Sequence, residues 1–175
     1  MTNNMDLNVK DTSPLKYAMH YGIFLGIFWA IKYLVYIVVA YWVHFIYLYY
    51  LMNVGTFLLI YIFYIKYINE DVSKINNKIR GFLFVVLLCF FASIFEGGMI
   101  YFHFQVLDPS YYATKIEPSL IKLIESFPYP PDVKASALSM VSNSILYIIS
   151  TFCGNIMLGF IIGTPMALLV KKNNS

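Results

Sequence analysis

Residues 17–68 read YAMHYGIFLGIFWAIKYLVYIVVAYWVHFIYLYYLMNVGTFLLIYIFYIKYI, and Lys32 and Lys66 carry the only formal charges in these 52 residues. As a single helix rising about 1.5 Å per residue, the run would extend about 78 Å. The hydrocarbon core of a bilayer is only about 30 Å thick. The run must therefore fold back on itself, and its reading decides the fold: span one near 17–38, a tight turn around Tyr41 to His44, and span two near 46–67.

Working outward, residues 69–81 carry Glu70, Asp71, Lys74, Lys78 and Arg80. They are expected to form a charged loop that cannot lie in hydrocarbon. Span three is expected near 82–104 and span four near 144–170, the latter long enough to tilt. Before span one, residues 1–16 are polar. The apolar stretch after them exceeds the h-region of a signal peptide, about 7 to 15 residues, so it is expected to be retained as a span.

Composition agrees with a bilayer as solvent. The chain is 60% hydrophobic and 12% charged, against about 25% charged residues in a soluble domain. Its 16 Tyr and 15 Phe suit an aromatic belt at the headgroup layer. The net charge of +3 is too small to argue for nucleic acid, and the cations lie beside apolar segments rather than in one patch. They read as topology signals. Lys10, Lys16, Lys66, Lys74, Lys78, Arg80, Lys171 and Lys172 fall on one face, against Lys115, Lys122 and Lys134 on the other, which predicts both termini in the cytoplasm.

The segment between spans three and four, residues 105–143, carries two helix signals. Asp108 followed by Pro109 suits a helix start. Ile116, Leu120, Leu123, Ile124 and Phe127 then recur at helical spacing, with the regular part beginning near Glu117 because of Pro118. The run Pro128, Tyr129, Pro130, Pro131 breaks that helix, and Asp132 is expected to cap a second one. The fold class is thus all-α: an integral membrane four-helix bundle with a helical outer segment between spans three and four. Its parts are a cytoplasmic tail at 1–16, the membrane domain at 17–170 and a second cytoplasmic tail at 171–175.

Helices associate in lipid through close packing and hydrogen bonds, which favours small residues at contacts. Gly22 and Gly26 in span one, and Gly159 and Gly163 in span four, lie at spacings of four. These stripes predict that spans one and four approach each other, within one chain or across a dimer. Pro165 is expected to loosen or bend the end of span four.

Lys32 and Glu96 are the charged residues that lie well inside spans, fifteen residues beyond Tyr17 and fourteen beyond Phe82. At about 1.5 Å per residue both sit about 21 to 22 Å from the same boundary. An ion pair between spans one and three would offset part of each desolvation cost. The alternative has Lys32 reaching separately to the headgroups and Glu96 protonated or wet. His103, seven residues after Glu96, shares roughly its face. Asn155 in span four is expected to hydrogen-bond across helices.

The lines of chemistry that find no support are several. Cys89 and Cys153 sit in apolar runs without a second ligand at metal spacing and read as free thiols. No metal site, cofactor or catalytic motif is predicted: there is no nucleophile elbow, no His-Glu-x-x-His and no phosphate-binding glycine loop.

Several local patterns resemble those of the bacterial membrane family called domain of unknown function 4199. They run from Tyr21, Gly22, Ile23, Phe24, Leu25, Gly26, through the basic link ending at Arg80 and Gly81, to Asp108, Pro109, Ser110, Tyr111 and the lysine end of span four. The resemblance implies four spans with a helical outer segment between the last two, and it implies no activity. The Glu96-Gly97-Gly98 triplet departs from the family pattern.

These readings converge on an uncharacterised protein of the bacterial inner membrane, non-enzymatic, acting as an accessory or envelope component through helix contacts. Its partners would be the lipid bilayer, a second copy or other membrane proteins, and no nucleic acid. The alternative is a small transporter or channel subunit with a polar path at Lys32 and Glu96. A cavity reaching Glu96 would favour the alternative; a dry, packed bundle would favour the accessory role.

Overall fold

A computed structural model of the protein describes residues 13–70 and 77–169. Expectations for residues 1–12 and 170–175, and for Lys10, Lys74, Lys171 and Lys172, lie outside the described residues. Helix α1 spans Pro14–Val39, beginning three residues before the expected span. The cause is local: Pro14 suits the first helical position, where no N–H is needed, and the Ser13 side chain accepts from Lys16 N at 3.4 Å.

The chain reverses at Ala40–Trp42 without Gly or Pro. The N–H groups of Tyr41 and Trp42 both close on Val38 C=O, at 3.0 and 2.8 Å. Trp42 then takes extended backbone, φ −132° and ψ 94°, which any residue can adopt. One 3₁₀ turn, Val43–Phe45, leads into α2, Ile46–Glu70.

Helix α3 runs Asn77–Phe102. This corrects the loop expected over 69–81: Asn69 and Glu70 finish α2, while Asn77 to Gly81 already belong to α3. Polar residues continue a helix into the headgroup layer as readily as apolar ones do in hydrocarbon, so hydropathy marks the lipid boundary and not the helix end. Tyr17 fastens the end of α2 to α1, donating to Glu70 Oε2 at 2.7 Å.

After α3 the chain widens into a π-helical turn, His103–Leu107, and a second one, Tyr112–Ile116, before α4, Glu117–Ser126. Asp108 links the two turns by accepting from Ser110 N (3.1 Å) and Ser110 Oγ (2.7 Å). Helix α5, Pro131–Val141, is capped by Pro130. Asp132 lies in its first turn and is not the expected cap, because Pro131 takes the first helical position and moves the start two residues earlier. Helix α6, Ser144–Leu169, starts where Asn143 Oδ1 accepts from Ile145 N at 2.9 Å, and continues through Pro165.

The chain is all-α, with no strand among the described residues. Four helical stretches, Pro14–Val39, Val43–Glu70, Lys78–Leu107 and Ser144–Leu168, are long and apolar enough to cross a membrane, as in a multi-pass membrane protein. The α1 start, the α2 end and the α3 start share one end of the molecule, here the basic end. The α4–α5 pair lies at the other, the hairpin end.

Helix α3 is the axis of the packing, with α1 and α6 docked along it and α2 lying on α1. This corrects the expected approach of spans one and four. Both glycine stripes face α3 instead: a Cβ at Gly22 would fall 2.6 Å from Phe91 Cβ, and one at Gly26 would fall 2.5 Å from Phe95 Cδ2. On the other side, Gly159 lies against Cys89 and Val86, and Gly163 against Phe82 and Val85. A stripe of small residues states that something comes close, but not which helix it is.

Toward the basic end the core is apolar and rich in aromatic rings. Leu25, Trp29, Ile60, Tyr67, Phe84, Leu88, Cys89 and Ala92 are all fully buried. Tyr67 stacks on Phe84 with ring centroids 4.5 Å apart, and Tyr64 donates to Met166 C=O at 2.9 Å, which draws α2 against α6. A second cluster at the hairpin end joins Tyr33, Ile100, Phe104, Tyr111, Tyr112 and Ile116. Here Ile116 and Leu120 of the amphipathic outer segment pack inward, whereas Leu123 and Phe127 stay exposed. The Tyr112 hydroxyl donates to Val141 C=O and ties the π-helical turn to the end of α5.

Candidate functional site

Lys32 lies 18 residues into α1 (32 − 14) and Glu96 lies 19 residues into α3 (96 − 77), so the two helices carry them to one level. Lys32 Nζ is 3.7 Å from Glu96 Oε1, and their side chains are only 12% and 8% exposed. That distance is longer than a hydrogen bond, so the groups attract each other without a donor contact. The other carboxylate oxygen, Oε2, accepts from Asn155 Nδ2 of α6 at 2.6 Å. Glu96 is thus held between α1 and α6, with each oxygen assigned to a different helix.

Lys32 and Glu96 form the floor of a cleft of ≈ 230 Å³. Helix α1 contributes Lys32, Tyr33 and Tyr36 to it, and α3 contributes Glu96 and Ile100. Tyr49 of α2 and Tyr147 with Thr151 of α6 complete the wall, so all four long helices share the site. Directly below it, Trp29, Ala92 and Ser93 are fully buried, and the cleft ends there.

The tyrosines are organised by one another. Tyr33 stacks on Tyr36 at 6.2 Å between centroids, and Tyr36 leans on Tyr49 at 5.6 Å. On its far side the Tyr33 hydroxyl meets His103 Nδ1 at 2.8 Å. His103 is itself buried, with Tyr111 packed against its ring at 4.4 Å. His103 therefore positions a cleft tyrosine and does not stand beside Glu96 in the cleft lining. The Lys32 ammonium also lies over the Trp29 ring, 5.3 Å from its centroid, a cation–π contact.

Among the described residues no three His, Cys, Asp or Glu side chains converge as metal ligands. Cys89 is buried and Cys153 exposed, both as free thiols. Gly22, Gly26, Gly159 and Gly163 serve helix contact only and lie outside the cleft. The cleft tyrosines and Thr151 were not singled out from the sequence, although a signal existed. Tyr147, Thr151 and Asn155 recur every four residues along a largely apolar span, and all three face Glu96 or its cleft.

Outside this cleft, a groove of ≈ 340 Å³ runs between α1 and α3 near the basic end, lined by Lys16 and His20 together with Met19, Ile23, Phe91, Ile94 and Phe95. Apart from Lys16 and His20 its walls are apolar, as expected of a surface that meets lipid tails.

Residues 20–172 match the family model described as Protein of unknown function (DUF4199). No curated protein and no solved structure matches the chain.

Proposed function

Because this chain belongs to the DUF4199 family, whose description assigns no activity, we propose its role from the cleft itself: it is a non-catalytic solute-binding subunit of a small transporter. The observation that carries this reading is a cleft shared by four membrane-crossing helices whose floor is Lys32 and Glu96. Ionisable groups at membrane depth are costly and usually line a cavity or a path, and transporter sites lie near the bilayer midplane between helices. The buried floor supports a binding site rather than an open pore through one chain.

The same reading sets the protein in the bacterial cytoplasmic membrane with both termini inside. Four crossings return the chain to the face on which it began. Lys16, Lys66, Lys78 and Arg80 cluster at the basic end, which supports placing that end in the cytoplasm. The cleft then faces outward. Reporters fused at the two termini are expected on the same, cytoplasmic face.

The direct test is Thr151→Cys in a Cys153→Ser background, treated in intact cells with a small membrane-impermeant thiol reagent. Labelling from outside is expected at the cleft wall. No labelling of a folded variant would remove the solute-binding reading. The accessory reading draws on a different observation, the exposed apolar side chains Leu123, Phe127, Val133 and Met140 on the α4–α5 pair. A stoichiometric partner retained in mild detergent and lost on Val133→Lys would favour it.

A further inference from the structure

We propose that the cleft takes a small zwitterion, a molecule whose ammonium and anionic groups lie a few bonds apart. This inference rests on the solute-binding reading and names the ligand class for that site. Lys32 and Glu96 are the charged residues in the cleft lining, one of each sign, so the lining is formally neutral. A lone cation or a lone anion entering it would leave one charge uncompensated in a poorly solvated place, which is costly. A zwitterion leaves the total at zero.

The geometry offers each half of such a ligand a partner. The pair stands 3.7 Å apart, beyond hydrogen-bond distance, so a ligand anion that turns to Lys32 Nζ and a ligand ammonium that turns to Glu96 Oε1 break no donor contact between the two side chains and replace their mutual attraction with one partner each. Asn155 keeps Glu96 Oε2 occupied and the carboxylate fixed during that exchange. Tyr36 and Tyr49, 5.6 Å apart, present ring surface to an ammonium and hydroxyl donors to an anion. At ≈ 230 Å³ the cleft falls below the range of about 300 to 1,000 Å³ common for drug-sized ligands, which selects a small one. The same chemistry is supplied by a free amino acid or by the headgroup of phosphatidylethanolamine.

The test uses the full-length protein in mild detergent and follows its thermal unfolding midpoint by intrinsic fluorescence. Glycine, leucine and glycerophosphoethanolamine are titrated against propylammonium and propionate. Native mass spectrometry from nanodiscs of mixed phosphatidylethanolamine and phosphatidylglycerol runs in parallel. The expected result is a saturable rise in midpoint with a zwitterion, or selective retention of phosphatidylethanolamine, and binding of the singly charged probes weaker by about tenfold or more. The first outcome assigns the ligand to free solutes and the second to the lipid. Lys32→Gln with Glu96→Gln is expected to abolish the preference; should that variant not fold, the selectivity of the unaltered protein decides alone. Equal binding of propylammonium or propionate overturns the zwitterion while leaving the cleft a binding site. No saturable ligand with Thr151→Cys labelled overturns the ligand class, and no ligand with Thr151→Cys unlabelled overturns both readings.

Discussion

Asn155 of α6 donates to Oε2 of Glu96 on α3 across 2.6 Å, on the opposite oxygen from the one that faces Lys32 of α1. Three helices are therefore cross-linked by one carboxylate in a setting where water competes weakly. Removing the charge from either member of the pair leaves the other ion uncompensated. Removing both leaves a neutral polar contact.

The consequence is non-additivity. Glu96→Gln and Lys32→Met are each expected to destabilise the protein in detergent, and the double variant is expected to cost less than their sum by about 0.5 to 3 kcal/mol. Denaturant or thermal unfolding of all four proteins measures this. Agreement of the double variant with the sum, within roughly 0.5 kcal/mol, would show that the two charges do not interact.

The glycine contacts predict an order of effects. At Gly22 an added methyl meets Phe91 Cβ at 2.6 Å, an atom that moves only with the α3 backbone. At Gly26 it meets the Phe95 ring at 2.5 Å and Phe95 Cβ at 2.9 Å; the ring is 38% exposed and has room to turn, and the Cβ contact is longer than the one at Gly22. Overpacking costs about 1 to 3 kcal/mol, so Gly22→Ala is expected near the upper end and Gly26→Ala near the lower. Gly98 has nothing within 4 Å of a built Cβ. Gly98→Ala is expected to be neutral or to gain up to about 1 kcal/mol from helix propensity. A reversed order, with Gly98→Ala the most harmful, would contradict the packing around α3.

Much of this fold can be read from residue patterns, because lipid punishes an unsatisfied backbone and leaves helices as the solution for long apolar runs. The reversal near Trp42 and the break at Pro128 to Pro131 follow from length and from proline chemistry. The shared level of Lys32 and Glu96 follows from counting along two helices. What a single sequence does not encode locally is the choice of neighbour. Gly22, Gly26, Gly159 and Gly163 announce close approach, yet only the three-dimensional arrangement shows α3 between the two stripes. The cleft was hidden for a similar reason: Tyr36, Tyr49 and Tyr147 look like ordinary interfacial aromatics until three helices bring them to one cavity.

The Tyr33–His103 contact offers a test of how the cleft wall is held. Tyr33 and His103 are both buried, and their 2.8 Å bond satisfies one polar atom on each. Tyr33→Phe strands His103 Nδ1 and is expected to cost about 1 to 3 kcal/mol. Adding His103→Phe removes the stranded group, so the double variant is expected to recover part of that loss. If Tyr33→Phe proved silent in unfolding experiments, the hydroxyl would not be what fixes the ring.

Alkaline titration probes the hairpin end independently of the membrane-embedded groups. Burial pushes the Tyr111 hydroxyl from 10.0 up to about 12, with Tyr36, Tyr41 and Asp108 nearby adding to the effect. The folded state thus holds the proton more tightly than the unfolded chain does. Below about pH 10 both states are protonated and the folded packing around Tyr111 is fully favoured; between pH 10 and about 12 the unfolded chain ionises first, so stability falls as pH rises. Tyr111→Phe has no proton to lose and is expected to show a shallower decline across that window, even if its stability at neutral pH is unchanged. Unfolding midpoints of the two proteins between pH 9 and 12 measure the difference. Parallel curves would mean that Tyr111 is solvated in the folded state and does not seal the cluster formed with Phe104 and His103.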